Sequence, residues 1–135
     1  MTGKRALGVV LAIVVALAVV RGIMIIGSPG EERTRRLDAR RVEDLGRISR
    51  SIEIYYMRRQ RLPESLEELS KEPGLSGIPR DPETGVAYPY RSLEADGYEL
   101  CGAFARESGV VRSADVWSHG AGMQCFTLKA KPATR

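Results

Sequence analysis

The chain is poor in the residues from which active sites are most often built. It has one histidine, His119, two cysteines, Cys101 and Cys125, and one tryptophan, Trp117, in 135 residues. It carries no C-x-x-C pair, no H-E-x-x-H, no P-loop and no G-x-G-x-x-G run, so the signatures of dithiol redox, zinc-hydrolase and nucleotide-binding chemistry are missing. Aromatic side chains make up 6% of the chain, five of them tyrosine and two phenylalanine, so a core must be mainly aliphatic. One segment also lacks charge: Ala6 to Val20 contains only Ala, Leu, Gly, Val and Ile.

That uncharged run continues past Arg21 through Ile23-Met24-Ile25-Ile26. Ala6 to Ile26 is 21 residues, and a helix of that length spans about 30 Å, the thickness of a bilayer's hydrocarbon core. Arg21, near the far end, reaches the headgroups by snorkelling. The competing reading is a cleaved signal peptide, with Lys4-Arg5 as its basic start and Ala16-Leu17-Ala18 as its cleavage pattern. The run stays apolar beyond that pattern, so the expectation is an uncleaved anchor. Orientation draws two opposing arguments. Arg33, Arg35, Arg36, Arg40 and Arg41 outnumber Lys4 and Arg5, which by the positive-inside count puts the C-terminal part in the cytoplasm. An even pair of cysteines suggests a disulfide, which puts it outside; two buried free thiols are the alternative. The expectation is a single-pass cytoplasmic (inner) membrane protein with an extracytoplasmic C-terminal domain.

Gly27-Ser28-Pro29-Gly30 reads as a break. A helical pattern follows from about Glu32 to Arg59, with apolar positions Leu37, Val42, Leu45, Ile48, Ile52 and Tyr55/Tyr56 forming one stripe. Arg40–Asp44, Glu43–Arg47 and Arg50–Glu53 have the spacing of helical ion pairs. Ten arginines lie between Arg33 and Arg61 against four acids. The sharper reading of these arginines is binding to nucleic acid or to anionic lipid. The reading preferred is a solvated face of a helix whose other face packs on a sheet, since no base-stacking aromatics or nucleic-acid motif accompany them, and no nucleic-acid partner is expected. Pro63 ends the helix and opens a short second one over Glu64 to Leu69. Asp81-Pro82-Glu83-Thr84-Gly85 is turn chemistry. Three short strands are expected: Ala87 to Arg91, Tyr98 to Phe104 and Gln124 to Leu128. The fold class is therefore α+β: an N-terminal transmembrane helix, then an amphipathic helix packed on a small three-stranded antiparallel sheet with one disulfide, Cys101–Cys125. The expected organisation is an anchor over 1–27, a juxtamembrane amphipathic helix over 28–62, a small α+β domain over 63–128 and a tail over 129–135.

The stretches YYMRRQRLPESLEEL, IPRDPETGVAYPYR and GYELC, in that order after an apolar helix, resemble type IV pilin-like proteins, in particular the pseudopilins of type II secretion. The positions that carry the resemblance are Tyr55, Tyr56, Leu62, Pro63, Ser65, Leu66 and Leu69, then Asp81, Pro82, Gly85, Tyr88 and Tyr90. It implies a non-enzymatic envelope protein with an assembly or scaffold role, and no cofactor. Its partners would be the lipid bilayer and other membrane or envelope proteins met through the apolar helix. The chain departs from the family in one respect: taking Gly8 as the end of a leader puts Ile13 at the fifth mature position, where prepilins have Glu, and the apolar segment contains no Glu. Calcium sites occur in such proteins, and Asp81, Glu83, Asp96 and Asp115 are weak candidates for oxygen ligands here.

The alternative reading is a membrane-tethered, extracytoplasmic ligand-binding or sensor module that uses the loop between Arg106 and Gly122, with Trp117 and His119 as its contact residues. Catalysis by His119 with Ser113 or Ser118 and Asp115, or with Cys125, is the least favoured reading, because nothing specifies the geometry of a triad and an oxidised Cys125 is not a nucleophile.

Overall fold

The computed structural model describes residues 2–26, 28–109 and 116–130. The chain divides into two compact units, Met1–Thr34 and Arg35–Arg135. The element order is α1 (Thr2–Ile26), α2 (Pro29–Arg59), α3 (Leu66–Lys71), β1 (Tyr90–Ser92), β2 (Gly97–Phe104) and β3 (Gly122–Lys129). The three strands form one antiparallel sheet in the order β1-β2-β3. The fold is α+β, as expected from the sequence.

Helix α1 is 25 residues long and apolar on every face. Among the described residues its large apolar side chains are exposed to between 48% at Val20 and 84% at Ile25. It is long and apolar enough to cross a membrane.

Helix α2 begins at Pro29, three residues before the start expected from the sequence. Pro29 is no obstacle there, since proline's missing N–H costs nothing in a first turn. The Ser28 hydroxyl and carbonyl both accept from the Glu31 N–H, Glu31 and Glu32 occupy the positive end, and Arg58 and Arg59 the negative end. The buried positions are Asp38, Arg41, Asp44, Leu45, Ile48, Ile52 and Tyr55. Leu37 and Val42, read as part of the stripe, are only half-buried. Gln60, at φ 55, ends the helix in the left-handed region.

Helix α3 starts two residues later than expected and leaves Pro63 outside its first turn. Ser65 is the cap: its hydroxyl accepts from the Glu68 N–H at 3.2 Å, while the Glu68 carboxylate accepts from the Glu64 N–H at 2.7 Å. Pro63 is instead fully buried beneath Tyr90, whose hydroxyl donates to the Pro63 carbonyl.

The first strand is shorter than expected. Pro89 has no N–H to give a ladder, so β1 begins at Tyr90; the Pro89 carbonyl accepts from the Cys101 N–H, and Ala87 forms a lone bridge with Arg80. The two longer strands extend the expected ones by a residue or two at their ends.

The core joins α2 and α3 to the inner face of the sheet through Leu45, Ile48, Ile52, Tyr55, Leu66, Leu69, Tyr98, Leu100, Phe104 and Phe126. Gly102 lets the helix come close: a Cβ there would meet Leu45 Cδ1 and Phe104 Cε2, each at 3.3 Å. Four of the five tyrosines hold elements together through their hydroxyls. Tyr98 bonds Ser49, Tyr55 donates to Glu68, Tyr88 to Asp44 and Tyr90 to the Pro63 carbonyl. Burial first, and then neighbouring carboxylates for Tyr55 and Tyr88, raises all four phenols above the usual range.

None of the three intrahelical ion pairs expected along α2 forms among the described residues. Asp44 is turned inward to Tyr88 at 3.1 Å, and the exposed partners gain too little from pairing in water to hold a fixed geometry.

Candidate functional site

The densest polar constellation lies where α2 crosses the 81–85 turn and the end of β2. Arg41 is 4% exposed and uses its whole guanidinium. Nε donates to Asp81 at 2.7 Å, Nη1 to Asp38 at 2.9 Å and Nη2 to Glu83 at 2.6 Å. Asp38, also buried, accepts from the Ala105 N–H at 3.1 Å and the Arg106 N–H at 3.0 Å, which ties the two residues just after β2 to the helix. Asp81 organises its own turn by accepting from the Glu83 and Thr84 N–H groups, while Gly85 closes the turn at φ 71. Hydrogen bonding to Asp81, opposed by burial, raises Arg41 above its ordinary value. Burial alone would raise the Asp81 carboxyl; the guanidinium and the Thr84 and Glu83 N–H groups outweigh it and hold Asp81 down at about 2.

This arrangement bears on two of the calcium candidates. Asp81 and Glu83 converge, but on a guanidinium, so the place a cation would take is filled by Arg41. Asp96 lies in the β1–β2 turn, where its carbonyl accepts from Ala130, and Asp115 lies outside the described residues. A separate group, Glu99 with Cys101 and Cys125, has metal-capable atoms within 4.8 Å, but both sulfurs are spent on the disulfide and Glu99 is paired with Arg91.

Next to the Arg41 knot a groove of about 460 Å³ opens between α2 and the segment after β2, lined among others by Asp38, Val42, Arg106, Ser108 and His119. Its far wall is the base of the loop expected from the sequence to bind. Ser108 and His119 clamp that base: the Ser108 N–H donates to the His119 carbonyl at 2.8 Å, and the His119 N–H donates to the Ser108 hydroxyl at 3.0 Å. The imidazole stacks on Phe104, with ring centroids 3.6 Å apart, and Phe126 and Trp117 follow edge-on at 6.3 and 5.1 Å. Both contact residues named from the sequence are thus half-buried and seal the end of the core. Ser118 lies near Ser108, Ser113 is outside the described residues, and Cys125 is bonded to Cys101.

The family-motif positions fall into two places. Tyr55, Tyr56, Leu62, Pro63, Leu66 and Leu69 pack where α2 meets α3, with Tyr88 and Tyr90 in the same core, and Asp81, Pro82 and Gly85 form the turn that receives Arg41. Asp38, Arg41 and Asp44 were not read from the sequence as buried: Arg41 was counted with the basic flank and Asp44 was paired with Arg40 on the helix surface. A signal was present: stepping back from Leu45 by four and then three residues reaches Arg41 and Asp38, in the spacing of the buried stripe. No family model, curated protein or solved structure matches this chain.

Two depressed carboxyls, Asp81 in the knot and Glu68 at α3, make stability depend on acid. Glu68 is held at about 2 by Arg61, by Tyr55 and by the Glu64 N–H, and Asp81 is held equally low. Both carboxyls titrate near 4 in an unfolded chain. Their contribution is therefore complete above about pH 4.5 and disappears as the pH falls toward 2. The urea midpoint of the full chain in mild detergent is expected to drop between pH 4.5 and pH 2, with a shallower drop in Asp81→Asn, whose site no longer titrates.

Proposed function

We propose that the chain is a non-enzymatic, pilin-like protein of the cytoplasmic membrane, anchored by α1 with its α+β domain outside the cytoplasm, and that it acts in envelope assembly or as a scaffold. One observation carries the reading: an N-terminal helix, apolar on every face, is followed in sequence by a helix whose buried stripe forms the core of a three-stranded antiparallel sheet stapled by a disulfide. The sequence resemblance to pseudopilins supports the same reading. Since α1 has no Glu, association between copies would rest on van der Waals packing of its apolar surface.

The test is a cysteine in α1, Val14→Cys, oxidised in intact membranes. A self-associating subunit gives cross-linked dimers whose yield follows expression level; a chain that stays monomeric at every level overturns the assembly role. Labelling Cys101 and Cys125 with an impermeant reagent only after reduction supports the outward orientation, and free thiols with a protease-protected domain reverse it.

The groove between α2 and Ser108–His119 favours a second reading, a membrane-tethered module that binds a small ligand there. Under it, Val42→Trp, which fills the groove, abolishes the response without affecting cross-linking of α1.

A further inference from the structure

The arginines of α2 are arranged in a way that their number alone does not convey. Arg36, Arg40, Glu43, Arg47 and Arg50 recur every three or four residues and are all exposed, so they form one ridge along the helix; Arg33 precedes them in the sequence at the same spacing. Asp44, which has the spacing to pair with Arg40 and Arg47, is instead buried with its carboxylate accepting from Tyr88, while Glu43 stays exposed on the ridge. Arg33, Arg40, Arg47 and Arg50 form no ion pair among the described residues. A shallow concavity of about 370 Å³ opens on this face, lined by Arg36, Arg40 and Arg47 together with the carboxylates of Glu43 and Asp44, so the seat itself is of mixed charge. The excess of cations lies in the exposed guanidinium groups along the ridge, each of which can bind two oxygens of a phosphate through its planar fork.

We infer that this ridge binds the phosphate headgroups of anionic phospholipids in the bilayer that α1 crosses. The inference rests on the anchored reading of α1. Covalent continuity supplies the local concentration: Arg33 follows Ile26 by seven residues, so an extended chain keeps it within about 25 Å of the end of α1 in any arrangement. A polybasic segment tethered this close to the bilayer reaches the surface readily, and once within a Debye length of anionic headgroups it gains roughly fivefold in affinity per arginine.

The test uses the full, oxidised chain carrying Glu43→Cys, labelled with an environment-sensitive fluorophore and reconstituted into nanodiscs of phosphatidylcholine alone or mixed with phosphatidylglycerol. The emission is expected to shift to the blue in the anionic discs only and to revert in high salt. Inorganic phosphate added to the neutral discs should not reproduce the shift. Replacing Arg33, Arg40, Arg47 and Arg50 by Gln should raise the phosphatidylglycerol fraction needed for the shift by roughly fivefold per residue, until no shift is seen. A probe at Ser70→Cys on α3 should stay unchanged. Equal emission in both discs, or a shift that survives the four replacements, overturns the proposal. So does retention of a DNA fragment that depends on the same arginines while the discs give no shift. A chain that enters neither disc overturns the anchored reading and this one with it, whereas a chain that enters both without a shift overturns only this one.

Discussion

Arg41→Ala is expected to be the most damaging single substitution in the domain, costing about 3 kcal/mol or more. The arginine itself contributes little net energy, since burying a guanidinium offsets much of what its ion pairs return. The cost comes from what is left behind when one partner of a buried charge set is removed. Asp38 and Asp81 would remain with side chains 8% and 11% exposed, beside Glu83, and with no cation among them. Asp38 would still accept the Ala105 and Arg106 N–H groups, but as an uncompensated buried anion. Urea denaturation of the full chain should show the lowered midpoint, and lowering the pH toward 4 should narrow the gap to wild type, because protonation relieves the repulsion only in the variant. Arg41→Lys should fall between the two, since an ammonium cannot reach three carboxylates in the directions a guanidinium fork does. A variant as stable as wild type at neutral pH would mean that the three carboxylates are neutral or hydrated, and the knot would lose its structural role.

The second large effect is expected from the disulfide. Cys101 and Cys125 face each other directly across β2 and β3 and close a loop of 24 positions. The chain-entropy account gives such a bond about 3 kcal/mol, through restriction of the unfolded chain. In a domain of about 100 residues that is a large part of the total. The bond also holds the two ends of the segment that contains the Ser108–His119 clamp, so its loss should loosen the stacking of His119 on Phe104 before it affects α2. The Cys101→Ser/Cys125→Ser pair and the reduced wild-type chain should show the same lowered midpoint, with Trp117 fluorescence changing at lower urea than helical circular dichroism. Coincident transitions at the wild-type midpoint would remove the stabilising role.

The parts of this fold legible in the sequence were those set by periodicity and by turn chemistry. The apolar run of α1, the stripe Leu45, Ile48, Ile52 and Tyr55, the alternation along β2 and the turn at Asp81–Gly85 each depend on neighbours in the chain, and each was found. The pairing of the two cysteines was legible because an even count on two adjacent strands leaves one partner. The Arg41 knot was legible only as spacing: Arg41 and Asp38 continue the buried stripe, but hydrophobicity assigns Asp38, Arg41 and Asp44 to the solvent face, and their tertiary partners, 40 or more positions away, reverse the assignment. The excess of arginine along α2 was plain in the sequence, whereas which of its charges are buried was not. Trp117 and His119 were contact residues only in the alternative reading; Trp117 was otherwise expected to cover the core, and the aromatic stacking on Phe104 and Phe126 gives both a reason to be present without a ligand.

The tyrosine hydroxyls and the Arg41 knot have a mechanical meaning. In a chain tethered through its N-terminus, any tension reaches the folded part through the first turn of α2. The first cross-links it meets are Asp38 to the Ala105 and Arg106 backbone and Arg41 to the 81–85 turn. Beyond them lie Asp44 to Tyr88, Ser49 to Tyr98 and Tyr55 to Glu68, spaced along the helix about one or two turns apart. A pull along the helix axis therefore loads these bonds together in shear instead of opening them one after another, and the ion pairs of Arg41 stand toward the tethered end.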